Sequence, residues 1–174
     1  MGKLDQNEVE FITRIGTSRY RSKRSIGISD KRSDGSRCSV RNDIQAAGAE
    51  YFAAKSLECP FNEKITTSGD GGHDFVFAGL TVDAIWLGEG LDSKPRKTGH
   101  LIVNPHEPQR WARVYVLVGG NLELGYELLG CISHDRISKM PQKDFGYGPR
   151  FAAKIYELSP ISKLIDLRQK DSHA

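Results

Sequence analysis

GGHDFVFAGLTVDAIWL, residues 71–87, decides how this 174-residue chain is to be read. Its apolar period is two, which predicts a β-hairpin with Ala78-Gly79 near the turn and Leu80, Val82 and Ala84 on one face of the second strand. Two acids sit inside it. Asp74 opens the first strand directly after Gly71-Gly72, and Asp83 stands in the middle of the second, nine residues later. A carboxylate within VDAIWL is unfavourable on a pleated, half-buried strand unless something compensates its charge. A divalent cation is one such compensation, because Mg²⁺ is usually held by one or two carboxylates plus water and phosphate oxygens. The plainer alternative makes Asp83 solvent-facing and Asp74 a turn residue, and spacing alone does not choose between them.

Upstream of the hairpin, Asn42 or Asp43 is a good helix N-cap and IQAAGAEYFAAKSLE is helical in composition, closed off by Pro60. Ala46, Ala47, Ala49, Ala53 and Ala54 let another element approach this helix closely, and Glu50 is an acid among small and apolar neighbours. Packed on the hairpin's sheet, the helix would add Glu50 to Asp74 and Asp83. Downstream, HLIVNP at 100–105 and RVYVLVGG at 113–120 are β-branched, apolar strands expected to be buried on both sides. LELGYELLGCIS after Gly119-Gly120-Asn121 reads as their antiparallel continuation, a short helix is expected near 134–140, FGYGPR is irregular, and SPISKLIDL predicts a C-terminal helix. The fold class that follows is α/β (α+β), a mixed central β-sheet flanked by helices.

Residues 1–41 read as a basic N-terminal extension, helix plus loop with limited structure of its own, in front of a domain spanning 42–174. A helix over 5–24 is weakened by Gly16 and several Ser and Thr. Between Phe11 and Arg41 nine Lys or Arg face two Asp, so this segment carries a surplus of seven positive charges although the whole chain carries only +3. Arg19, Arg21, Lys23, Arg24, Lys31 and Arg32 are therefore candidates to follow a phosphate backbone, where each neutralised phosphate releases counterions. The alternatives are a solvated tail or an arm for an acidic protein.

With 38% hydrophobic residues the chain can build a core, yet no apolar run approaches the ~20 residues of a membrane helix. No apolar stretch with a cleavage site opens the chain, so a cytoplasmic location is expected. Cys38, Cys59 and Cys131 form no CxxC pair, which argues against a zinc knuckle or a disulfide scaffold. GDGG and GEG show neither a Walker lysine nor spaced Rossmann glycines. His73, His100 and His106 read as turn or structural residues, Trp86, Trp111 and Tyr115 as core aromatics, and Tyr147 as an exposed ring suited to line a nucleic-acid groove.

GAEYFAAKSL followed by GDGGHDFVFAGLTVDAIW resembles the core motif of the PD-(D/E)XK nuclease superfamily: a helix glutamate, a strand aspartate, then D-x-K one hairpin strand later. More narrowly the chain is similar to a group of small phage and prophage proteins. The matching pieces are Asn42-Asp43-Ile44, Gly48-Ala49-Glu50, Gly71 to Phe75, Val82-Asp83, Gly130 to Ser133 and Phe145 to Pro149. The resemblance implies a restriction-endonuclease-like core and a hydrolase, an endonuclease that cleaves DNA with Mg²⁺ or Mn²⁺. Asp74 and Asp83 would be metal ligands and Glu50 the helix acid that orients the metal or its water, all three being catalytic. DNA is the implied partner, RNA a further candidate; a homodimer would suit double-strand cutting, and a host protein is another candidate partner.

The departure lies at the motif's lysine, where Asp83-Ala84-Ile85 replaces D-x-K. Isoleucine neither donates a hydrogen bond nor carries charge, and losing one such donor costs roughly 10²–10³ in rate. Either another cation reaches the space, with Lys55, Lys94, Lys97 and His100 as candidates, or the fold binds without cutting efficiently, as a phage accessory or inhibitory factor.

Overall fold

The computed structural model describes residues 1–25, 40–65, 72–87, 99–146 and 148–171, with side chains up to residue 167. The hairpin forms as read: β1 (Phe75–Phe77) and β2 (Leu80–Trp86) pair antiparallel with Phe77 opposite Leu80. Ala78 and Gly79 have φ of 45° and 69°, the left-handed pair that a two-residue turn needs to match strand twist.

β2 then pairs in parallel with β4 (Val114–Asn121), and β4 pairs antiparallel with β5 (Gly125–Ser133), giving the sheet order β1-β2-β4-β5. A parallel pair requires a crossover. Here the connection carries β3 (His100–Val103), which leaves the first sheet altogether. It pairs antiparallel with β7 (Pro149–Lys154), and β7 with the two-residue β6 (Lys143–Asp144), making a second sheet of order β3-β7-β6. A mixed α+β fold is thus present, with one difference from expectation: HLIVNP lies in a separate sheet, because the end of FGYGPR and the FAAK that follows supply its partner strand.

Helices flank these sheets. α2 (Val40–Ser56) lays Ala49, Ala53 and Ala54 on Val82, Ala84, Val114, Val116 and Val118 of the first sheet. Its small side chains are what let a helix sit this close. The other face of the same sheet presents Tyr115, Leu117 and Ile132 to Leu101, Val103, Phe151 and Ala153 of the second sheet. β4 is thereby covered on both faces, which accounts for its unbroken run of buried residues. α3 (His134–Ile137) and α4 (Ser162–Asp171) complete the element order, with Ile137 and Leu164 buried.

The N-terminal segment is more integrated than its composition suggests. α1 (Gln6–Ser25) packs along α2 through Ile12, Ile15 and Ala47. Each fully buried Ile of this kind contributes roughly 1.5–3 kcal/mol. Gly16, which weakens the helix by propensity, is the point of contact: a Cβ there would stand 2.5 Å from the Ile44 Cα. Gly2 adds a two-way backbone bridge to Tyr126, at 2.8 and 2.9 Å. Residues 26–39, with Lys31, Arg32 and Cys38, lie outside the described residues.

Candidate functional site

Glu50, Asp74 and Asp83 line one cavity of about 440 Å³, together with Ile85, the end of β3 (Ile102, Val103), Gly72, Tyr115, and Asn104, Glu107, Arg110 and Trp111 of the crossover that follows β3. The three acids come from a helix, a strand entry and a strand interior, as the sequence implies. Trp111 and Tyr115, expected as core aromatics, also form part of the wall.

Asp74 is 6% exposed, so its carboxylate needs a stated compensation. Part of it is local. The ladder with β1 ends at Phe75–Val82; beyond that pair the Asp74 N–H donates to the Val82 carbonyl at 2.8 Å, and its Oδ2 accepts from the Ala84 N–H at 2.8 Å. The side chain of Asp74 thus stands in for the next main-chain acceptor. Asp83 lies between Val82 and Ala84, whose side chains face α2, so strand alternation sends it toward the second sheet on the same side as Ile85. There it lies near Tyr115, whose hydroxyl is pushed up first by burial and then by the Asp83 charge.

Glu50 is held differently. An Arg19 Nη1 from α1 forms an ion pair with its Oε2, while Nη2 of the same arginine donates to the Asn62 carbonyl at 3.1 Å and the guanidinium lies over the Phe61 ring. Both side chains of the pair are about one-sixth exposed, at 16% and 15%. Arg19, expected to track a phosphate backbone, is therefore occupied within the fold. Lys23 is also engaged, 2.6 Å from Asp43 Oδ1, whereas Arg21 and Arg24 are exposed and Arg24 stacks over Tyr20.

The cations expected to replace the motif lysine fare unequally. Lys55 lies elsewhere, bonded to Glu8 at 2.5 Å beside Tyr51, in a second cavity with Phe11 and Phe61. His100 belongs to the second sheet, 3.2 Å from Lys143 Nζ and edge-on to Phe145. Lys94 and Lys97 fall outside the described residues, as does Tyr147. Asn104, Glu107 and Arg110 went unforeseen. The signal was present as NPHEPQR, a charged loop between two prolines joining strands, since scaffold-held loops disproportionately carry function.

The cavity offers carboxylate oxygens, the donors of a hard cation. Among the described residues no three His, Cys, Asp or Glu side chains form a ready metal cluster, and Glu50 is engaged by Arg19. Asp74 and Asp83 carry the oxygen donors that a hard cation takes, and the described residues do not form an all-protein cage. The chain has no significant match among protein-family models, curated proteins or solved structures. Among the described residues no helix is long and apolar enough to cross a membrane.

Proposed function

We propose that this protein is a divergent Mg²⁺-dependent endonuclease that hydrolyses phosphodiester bonds of DNA, working in the cytoplasm. The observation that carries the reading is the convergence of Glu50, Asp74 and Asp83 on one cavity whose wall includes Ile85. Asp74 and Asp83 would hold the ion; a bound Mg²⁺ polarises the phosphate and lowers the pKa of an attacking water. Asp74 supplies a carboxylate anchored by the Ala84 N–H, so its position costs little reorganisation. The ion pair with Arg19 fixes Glu50 at the helix side of the cavity, where Glu50 can orient a water. Ile85, Ile102 and Val103 form the apolar part of the cavity wall beside these acids.

A second reading is favoured by one observation. Ile85 presents a methyl surface where the D-x-K pattern has an ammonium, which suits a nuclease-like fold that binds DNA and cuts poorly. Incubation with plasmid and branched DNA, with and without Mg²⁺ or Mn²⁺, separates the two. The nuclease reading expects metal-dependent cleavage that Asp74→Ala abolishes, and an Ile85→Lys variant about 10²–10³ faster. Cleavage surviving Asp74→Ala would falsify the site; cleavage by Ile85→Lys alone would favour the binding protein.

A further inference from the structure

We infer that Arg110 is the residue that grips the substrate phosphate in this cavity, taking over the charge absent at Ile85; the inference rests on the nuclease reading of the same site. Among the described residues lining the cavity, Arg110 is the sole cation, facing Glu50, Asp74, Asp83 and Glu107. With Glu50 paired to Arg19, an anionic phosphodiester still enters beside Asp74 and Asp83, and a cation on the wall offsets that repulsion.

Arg110 is built for that position. It closes the 3₁₀ turn Pro108–Arg110, its N–H donating to the Glu107 carbonyl at 2.9 Å. Its Nη1 lies 3.0 Å from Glu107 Oε2, while the other oxygen of Glu107 accepts from Asn104 Nδ2 at 2.8 Å. Glu107 is thus clamped by Asn104, the residue that follows β3, and aims the guanidinium. The Arg110–Glu107 pair is exposed, at 49% and 40%, and such pairs contribute little to stability. Exchanging it for a phosphate, which a planar guanidinium meets with two parallel N–H donors, is therefore cheap and favourable.

The turn also lies against the chain that leads into Asp74 and β1. Gly72 has φ +88°, and a Cβ on it would stand 2.3 Å from the Arg110 Cα. The chain at Gly72 thus runs so close to the Arg110 backbone that only a residue without a side chain fits, two residues before Asp74.

The test reads binding apart from cleavage. Fluorescence anisotropy of a labelled short DNA duplex is measured over a salt series in EDTA, for the natural chain, Arg110→Gln, Arg110→Lys and the double variant Ile85→Lys/Arg110→Gln, with circular dichroism melting as the fold control. Arg110→Gln is expected to lower the slope of log K against log salt by about 0.9, the loss of one phosphate contact. Arg110→Lys should keep the slope, and the double variant should recover it, because a lysine at position 85 would enter the same cavity. An unchanged slope in Arg110→Gln, or no duplex binding by the natural chain, overturns the inference. Cleavage in Mg²⁺ scored in parallel keeps the two ideas separate. A changed slope without any cleavage defeats the nuclease reading and leaves Arg110 as a phosphate contact; cleavage with an unchanged slope does the reverse.

Discussion

The two sheets share β4's neighbourhood but are assembled by different means. The first takes β1 and β2 from a two-residue turn and β4 and β5 from another short connection, so most of its pairing is local. The second joins His100–Val103 to Phe151–Lys154, strands some fifty residues apart that share no turn. Local pairing is legible from alternation and turn chemistry, whereas non-local pairing is decided by which buried face remains to be covered. The cavity forms where the two meet: Asp74, Asp83 and Ile85 come from the hairpin of the first sheet and its entry, Glu50 from α2, and Ile102, Val103 and Arg110 from the crossover that joins β2 to β4.

The comparison breaks most visibly if the second sheet unfolds by itself. Leu101 is fully buried between the sheets, and Leu101→Ala is expected to cost about 2–5 kcal/mol. Urea unfolding followed by far-UV circular dichroism and by tryptophan fluorescence should give one coincident transition, since Trp111 and Phe151 pack in the cluster that Leu101 fills. An earlier fluorescence transition would mean two separable units.

Gly72→Ala probes the joint between the strand entry and the crossover. A positive φ in a non-glycine residue costs of order 1–3 kcal/mol, and here the new methyl would also meet Arg110 backbone atoms at 2.3–2.4 Å. The variant should lose about that much stability and, on the nuclease reading proposed above, lose DNA cleavage more than Leu101→Ala, as read by activity assays at matched folded fraction.

Acid separates the sheets more gently. The His100 imidazole is held below its ordinary pKa by burial first, then by Lys143 and Lys154, with Glu157 opposing. His134, stacked on Trp111 and 3.0 Å from the Tyr115 hydroxyl, is held down chiefly by burial, with Arg113 adding to it and Asp135 opposing. A depressed folded-state pKa means the unfolded chain binds protons first, so stability is full above the ordinary histidine range and declines as pH falls through the folded values. Thermal melting temperature should fall on that acid side, less steeply in His100→Gln. A pH-independent melting temperature across the range would sink the prediction.

Within the site, legibility followed chain distance. Glu50, Asp74 and Asp83 stood out because each is an acid in an otherwise apolar or turn setting. Arg19 was visible as a charge and misread in role, since composition shows a basic segment but not that α1 lies along α2 with Arg19 at Glu50. Arg110 was invisible for a related reason: its place beside Asp74 depends on the crossover doubling back over Gly72.

By itself the sequence determined the α2 helix, the hairpin with its Ala78-Gly79 turn, the apolar β4 and the three acids at their spacing. Periodicity and turn chemistry are local properties of the chain, so they can be read without the fold. Tertiary structure alone decided that HLIV leaves the first sheet for β7, that Arg19 pairs with Glu50, and that Arg110 lines the same cavity as the acids and Ile85. Those outcomes depend on which surfaces are left to bury after local elements form, and that sum runs over the whole molecule.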